Sequence, residues 1–464
     1  MAEATQTKTT IAIDPVTRIE GHLKAEVVVE NGKVVDAKLT GGMYRGFESI
    51  LRGRHPRDAA QIVQRICGVC PTAHATAASI ALEKASGTAV PSNGRATRNL
   101  ILGANYLQSH ILHFYHLAGQ DFIQGPDTAP FMPRYAKPDL RLPPAINAVG
   151  VDQYVEALEV RAVCHEMVAL FGGRMPHVHG ILAGGAAEIP TKEKLVEYAA
   201  RFKKVRKFVE EKYLPVVYLV GSQYKDLGAF GQGYRNALCV GVFPLDDEGK
   251  EFVFKAGAYQ DGKDMPFDVK FSWFADSTSG KPFTKGENVL EVDKKGAYSF
   301  VKAPLYNGKP MEVGPLARMW VNNKPISPIG QKLFKEYFGL DVKNFRDMGE
   351  DLAFSLLGRH VARAEESYLM LDVVERFLKE VRPDEETFSM PVMKDSEGFG
   401  FTEAPRGSLM HFTKVRNGKI DNYQIVSATL WNCAPRNDTG MRGALEEALI
   451  GVPVPDIENP VNIA

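Results

Sequence analysis

The apolar and polar positions of this chain change period several times. Ala25–Glu30 and Val34–Leu39 are rich in β-branched residues and flank Asn31-Gly32, a type I′ turn signal, so residues 9–41 are predicted as strands with a hairpin. The period turns helical from Arg57, where Ala59, Ile62, Val63 and Ile66 share one face. An Ala-rich helix is predicted over 72–85, ending near Gly87, and a long apolar helix over 96–123. Further helices are predicted over 151–172 and 191–219, the second amphipathic and rich in charge. Residues 222–310 change character and read as a β-rich insert, with Phe252–Phe254, Val269–Phe274 and Tyr298–Val301 as its strand-like runs. Helical spacing returns at 328–381, strands at 400–431 around a second Asn-Gly turn at Asn417-Gly418, and a short helix at 440–449.

These elements predict an α+β chain, mainly helical, with a central helix bundle, peripheral β hairpins and the β-rich insert. It reads as a single unit over 1–464. Its parts are an N-terminal β region (9–55), a helical core (56–221), the insert (222–310) and a C-terminal helical and β region (311–464).

Composition narrows the function classes. Lys+Arg and Asp+Glu both number 56, so no net charge favours nucleic acid or an anionic membrane. Five cysteines in 464 residues make no disulfide framework. Residues 1–8 lack the apolar region of a signal peptide, and no apolar run is long enough to span a bilayer.

The chemistry concentrates in Arg65-Ile-Cys67-Gly-Val-Cys70-Pro-Thr-Ala-His74. Two thiols at this spacing converge when the backbone turns between them. Gly68 permits the turn and Pro71 suits the first position of a new helix. Such a pair can serve half of a structural zinc site, a redox dithiol or half of a catalytic metal centre. Zinc needs two more ligands, and the sequence has no second Cys-x-x-Cys pair. The dithiol reading wants a small βαβ unit, whereas this pair lies between helical patterns. His74, one helical turn on, is placed to donate a hydrogen bond to a thiolate.

Other ionisable groups carry weaker signals singly. Ile13 to His22 is dense in charge, and Gly41-Gly-Met-Tyr-Arg-Gly-Phe-Glu48 sets an Arg and a Glu among glycines. His110, His113 and His116 follow three-residue spacing, which suits helix packing better than a metal. Cys164 sits in an apolar setting and reads as inert core. Cys239 has no evident partner.

Taken together, the motifs resemble the large, catalytic subunit of nickel–iron hydrogenases. They are Asp14-Pro-Val-Thr-Arg-Ile-Glu-Gly-His22, the Gly41–Glu48 run, Arg65–Cys70, Asn105–His116, Glu403-Ala-Pro-Arg-Gly407 and Thr429-Leu-Trp-Asn432. The likeness runs from about Ile11 to the last residue. Around Leu430-Trp-Asn and Glu446–Asp456 the wording is most similar to the periplasmic nickel–iron–selenium subgroup.

The resemblance implies the hydrogenase large-subunit fold and a nickel–iron centre whose iron carries cyanide and carbon monoxide. Cys67 would be a terminal nickel thiolate and Cys70 a bridge to iron, with His74 bonded to the bridging sulfur. Glu20 would relay protons, Arg406 would stand over the open metal face, Thr429 would bond a cyanide, and Asp121 would line the outer pocket. Glu48, with the Cys433 carbonyl, would hold a magnesium or iron ion at a secondary site. The implied reaction is heterolytic cleavage or formation of H2, with protons and H2 as substrates. Electrons would leave through an iron–sulfur small subunit, because this chain lacks cysteines for a cluster. Export on that partner's signal implies a periplasmic or membrane-associated location, with the cytoplasm as alternative.

The family also carries a second pair, Cys-x-x-Cys or selenocysteine-x-x-Cys, near its C-terminus. This sequence ends at Ala464, short of that segment. The expectation is that the other two ligands come from an extension or a separate short peptide. Two rival functions differ in class. One is a non-catalytic structural subunit of a redox complex, and the other a zinc-stabilised globular protein.

Overall fold

The computed structural model describes residues 8–17, 19, 21–134, 137–269, 274–277, 291, 293–460 and 463. Near the N-terminus, Thr9–Ile13, Leu23–Glu30 and Lys33–Gly41 form a three-stranded antiparallel sheet in that order. Asn31 and Gly32 take φ of 53° and 71°, so the hairpin closes with two left-handed residues, as Asn-Gly predicts. Leu23, Ala25, Val27 and Val29 are buried and alternate with partly exposed neighbours. The C-terminal stretch docks on this hairpin, with Val34 N–H donating to Val452 O at 3.0 Å and Val454 N–H to Gly32 O at 2.7 Å.

The core surrounds the helix Ser92–Leu112, which is buried from Asn93 to Leu112. The helices Pro144–Gly172 and Leu356–Glu380 pack against it. Its polar residues find partners inside: Arg98 pairs with Glu83 and donates to Gly185 O at 2.7 Å, and Asn93 Nδ2 donates to Arg382 O and Glu385 O, both at 3.0 Å. Such groups are tolerated there because their hydrogen bonds are made. The predicted helix 96–123 is this element, continued by a wide π-type turn at His113–Ala118 and a tight turn at Gly119–Asp121. The predicted helix 191–219 is likewise Lys192–Phe208, a π-type turn at Val209–Tyr213 and Leu214–Gln223. Pro215 accounts for that interruption, since it lacks an N–H and its ring crowds the preceding turn.

Two expected strands need comment. Tyr298–Val301 is not a strand: the Ser299 hydroxyl accepts from Gly41 N–H at 3.0 Å, and Phe300 N–H donates to Gly41 O at 3.0 Å. A side chain bonding to backbone has replaced ladder pairing there. Most of Val269–Phe274 lies outside the described residues, and Phe274–Ser277 pairs with Ala303–Tyr306.

The arrangement that positions the thiols is helix on sheet. Ser396–Ala404, Gly407–Arg416 and Lys419–Val426 form an antiparallel sheet, with Asn417 and Gly418 at φ 50° and 70° in its second hairpin. The helix Pro71–Ser86 lies directly on it. A Cβ at Gly400 would stand 2.0 Å from Ala77 O, and one at Gly398 2.2 Å from Ala81 O. Glycine at both places lets helix backbone touch strand backbone. That contact sets the start of the helix, with Cys70 and His74, beside the strand Gly407–Arg416.

Candidate metal centre

Cys67 is the extended residue, φ −145° and ψ 126°, that ends the tight turn Val63–Ile66. Cys70 is the residue before the helix Pro71–Ser86, and Pro71 opens it. The segment that carries the thiols is held from two sides. Arg45 donates through Nη1 to Arg65 O at 2.8 Å and through Nη2 to Ile66 O at 2.6 Å. Asn105 Nδ2 and Gln108 Nε2 donate to Val69 O at 3.0 and 2.9 Å, and Thr72 Oγ1 donates to Asn105 Oδ1 at 2.7 Å.

Cys67 Sγ accepts from Cys70 N–H at 3.4 Å and lies 3.7 Å from Arg406 Nη1. The Cys70 thiol hydrogen bond is the largest influence on Cys67. Burial opposes it, the Arg406 charge and backbone N–H groups reinforce it, and the thiol is brought down to about 6. Cys67 is therefore mainly thiolate at neutral pH, the form that binds metal. No cysteine is in a disulfide.

Arg406 stands on the two-residue loop Pro405-Arg406, between the paired residues Ala404 and Gly407. Arg318, fully buried, grips that loop through Nη1 to Ala404 O at 3.0 Å and Nη2 to Pro405 O at 2.7 Å. Its charge is balanced by Glu366, at 2.5 Å from Nε and 2.8 Å from Nη2, and by Glu403, at 2.7 Å from Nη1. Burial acts to raise the Glu366 carboxyl, but the Arg318 charge and hydrogen bonds outweigh it and hold it at about 2. On the other carboxylate burial wins, and Glu403 stays above its ordinary value.

His74 is buried on the first turn of its helix, with Nδ1 3.1 Å from His411 Nε2; His411 Nδ1 in turn lies 2.8 Å from the Tyr423 hydroxyl.

Known proteins match this arrangement along nearly its whole length. The family model described as Nickel-dependent hydrogenase matches residues 45–127 and 122–464, and one described as HoxL-like matches residues 10–40. The periplasmic [NiFeSe] hydrogenase large subunit of Desulfomicrobium baculatum is 59% identical over 473 residues, covering 98% of this chain and 92% of its own. The Hydrogenase-2 large chain of Escherichia coli K12 is 31% identical, with 98% and 94% covered. The as-isolated Ni-Fe-Se hydrogenase structure from D. vulgaris Hildenborough superposes at a TM-score of 0.97 with 67% identity, covering 98% of this chain and 97% of that one. The chain belongs to the nickel-dependent hydrogenase family. It is a large subunit, most similar to the nickel–iron–selenium hydrogenases among these relatives, with their α+β fold.

In this hydrogenase subunit Cys67, Cys70 and Arg406 come together, with His74 one helical turn from Cys70. The other expected site residues stand apart. Glu20 lies outside the described residues. Asp121 ends the turn Gly119–Asp121, and Thr429 sits on the short helix Ala428–Asn432; both are exposed. Glu48 accepts from Ile425 N–H at 2.8 Å and pairs with Lys302, whose Nζ also reaches Gln424 Oε1 and Ile425 O at 3.1 Å. The structure does not bring Cys433 to this cluster, where the carbonyl beside Glu48 is that of Ile425. Cys433 N–H bonds to Thr429 O, its side chain packs near Leu23, Ala25 and Leu39, and burial pushes its thiol up to about 12.

The three spaced histidines diverge. His110 pairs with Glu366 at 3.0 Å, the His113 ring lies near His360, and His116 Nε2 is 3.2 Å from Tyr154 O. Among the described residues no three His, Cys, Asp or Glu side chains group as a metal site. Cys164 is fully buried and its thiol is pushed up to about 12 by burial.

Sequence reasoning gave no role to Arg318, Gln108, His411 or Tyr423. They read as ordinary core or strand positions.

Proposed function

We propose that this hydrogenase subunit holds a nickel–iron centre on Cys67 and Cys70 and there cleaves H2 reversibly into protons and electrons. The observation that carries the reading is the Cys67 sulfur, 3.7 Å from Arg406 Nη1 and accepting a hydrogen bond from Cys70 N–H. Two thiols beside a fixed guanidinium suit a soft metal, and they form half of a four-thiolate set. When bound, the centre supplies the Lewis acidity and redox capacity that split H2, and its iron carries cyanide and carbon monoxide in this proposal. A four-thiolate set needs two further sulfur ligands beside this pair.

The chain's own residues do the rest. Arg406, locked by Arg318 through the Ala404 and Pro405 carbonyls, holds a charge beside the reacting face without needing to reorganise. The Cys67 thiolate is a proton acceptor in place, and Glu20 takes the proton from it. Asp121 lines the outer pocket and Thr429 bonds a cyanide. Glu48, Gln424 and the Ile425 carbonyl are oxygen donors of the kind a magnesium or iron ion takes, and such an ion would displace the Lys302 ammonium. Electrons leave to an iron–sulfur small subunit, and the pair works in the periplasm or at its membrane.

The test is nickel and iron content, with H2-dependent dye reduction, in the complex purified from its native source. About one nickel per complex, with dye reduction lost in Cys67→Ser, is the expected result. An intact complex without nickel or H2 activity would overturn the proposal and favour a structural subunit.

A further inference from the structure

The turn that carries Arg406 is buried, although a two-residue hairpin loop ordinarily sits at the surface. Ala404, Pro405 and Gly407 are buried and Arg406 is half-buried. Burial is tolerated because the backbone of the turn is engaged. The Tyr106 hydroxyl donates to Glu403 O at 2.7 Å, and Arg318 takes the carbonyls of Ala404 and Pro405. The Arg406 carbonyl lies against the backbone of Gly314, where an added Cβ would stand 2.8 Å from its oxygen. From the other side, a Cβ on Gly407 would meet Val313 Cγ2 at 2.3 Å and Gly314 N at 2.8 Å. Gly314 and Gly407 have φ of 128° and 141°, so the two backbones meet this closely only as glycines.

The segment Glu312–Gly314 is itself fixed at both ends. Leu238 N–H donates to Glu312 O and Glu312 N–H to Asn236 O, each at 2.9 Å, which joins it to the strand Ala237–Cys239. Gly314 O accepts from Arg318 N–H at 3.0 Å at the start of the helix Pro315–Val321. Between these anchors the Asn432 amide makes a reciprocal pair with Val313. Val313 N–H donates to Asn432 Oδ1 at 2.9 Å, and Asn432 Nδ2 donates to Val313 O at 3.0 Å. Asn432 ends the short helix Ala428–Asn432, and Val313 shares an apolar cluster with Ala428 and Trp431 of that helix. Arg406 and Thr429 are thus mounted on one rail.

We propose that Gly314 and Asn432 are positioning residues for Arg406. The rail holds the turn so that the guanidinium stays 3.7 Å from the Cys67 sulfur, and it ties that distance to the placement of the helix that carries Thr429. The proposal rests on the reading that Arg406 acts at the metal centre, and it adds which residues set its reach. A long side chain is aimed only as well as its backbone is held.

The test uses the complete native complex. Asn432→Leu has a similar volume and offers Val313 neither hydrogen bond, and Gly314→Ala drives a methyl at Arg406 O. Each is made alone and together with Arg406→Lys. Each alone is expected to lower kcat per nickel by about 10–100-fold with KM for H2 little changed. Crystal structures should show the Arg406–Cys67 contact lengthened by about 1 Å, with Cys67 and Cys70 in place. In the Arg406→Lys background neither should lower kcat further, because the group they position is gone. Where Gly314→Ala does not assemble, Asn432→Leu decides. Native kcat, an unmoved Arg406, or an equal loss in the Arg406→Lys background would overturn the proposal. A native complex with neither nickel nor H2 activity would overturn the metal reading instead, and the crystallographic distance would still decide whether the rail sets Arg406.

Discussion

The lowered Cys67 thiol can be read directly by alkylation of the metal-free chain with iodoacetamide across pH 4–9. Its ordinary value is 9.0, and its surroundings bring it to about 6. At pH 6 roughly half of Cys67 is thiolate, against about 0.1% of an ordinary thiol, a ratio of about 500. A less basic thiolate is a weaker nucleophile, and a Brønsted slope of about 0.45 takes back about twenty-fold. Cys67 should therefore react about 25 times faster than an ordinary exposed thiol at pH 6, and only about 4–5 times faster at pH 7. The rate should rise to half its plateau near pH 6. Tandem mass spectrometry separates Cys67 from Cys70 within one peptide. Cys164 and Cys433, both pushed up to about 12 by burial, should stay unlabelled in the folded chain. The causes are ranked, so variants check them: Cys70→Ala should move the midpoint up more than Arg406→Leu, because the Cys70 thiol bond is the larger influence. A midpoint at or above pH 8.5, or a larger shift from Arg406→Leu, would refute the reasoning.

Three further outcomes follow from the packing. Gly400→Ala forces a methyl to within 2.0 Å of Ala77 O, so the helix Pro71–Ser86 must lift; chemical denaturation should show a loss of about 1–3 kcal/mol, and a neutral result would mean that helix and strand are not in backbone contact. Arg318→Met leaves the Glu366 and Glu403 carboxylates buried without their cation, an expected cost of about 3–5 kcal/mol that adding Glu366→Gln should partly recover in the same denaturation assay. Glu365, one residue away, has the opposite fate from Glu366: burial outweighs its bonds from Tyr218 and Ser327 and pushes it up to about 7. Between pH 4.5 and 7 the unfolded chain gives up a proton that the folded chain keeps, so native stability falls with rising pH by roughly 3 kcal/mol relative to Glu365→Gln. Parallel stability–pH curves for the two proteins would exclude it.

What could be read in the sequence was whatever its side chains announce by spacing. The two Asn-Gly hairpins, the long apolar helix and the Cys67–Cys70 turn all appear where the pattern puts them, because turn chemistry and periodicity are local. Cys433 was tied to Glu48 through its backbone carbonyl, and the structure puts the Ile425 carbonyl beside Glu48 instead. A carbonyl is present on every residue, so no sequence signal distinguishes the one that lines a site. His411 and Tyr423 were invisible for a related reason. Inward positions on a strand are read as core, and only the close approach allowed by Gly398 and Gly400 turns one of them toward His74. Arg318 looked like any arginine on a short helix. Its role depends on Glu366, Glu403 and two loop carbonyls brought from distant segments.

The charges around the thiols follow one logic. Arg45 and Arg406 each use a guanidinium near Cys67, one on the carbonyls before it and one toward its sulfur. Arg363 is pushed down to about 10 by burial, with Tyr213 and Glu366 supporting its charge and Arg406 and Arg318 opposing it. Keeping several cations this close is unfavourable unless something anionic offsets them. Glu366 and Glu403 are committed to Arg318, and Arg406 reaches to 3.7 Å from the Cys67 sulfur. The polypeptide thus presents a positively biased setting at Cys67, which suits thiolates and not thiols. Anionic sulfur ligation at Cys67 and Cys70 would relieve repulsion that the metal-free chain carries. Loading with metal should then stabilise the fold by more than the new bonds alone contribute, and the excess should shrink in Arg406→Leu.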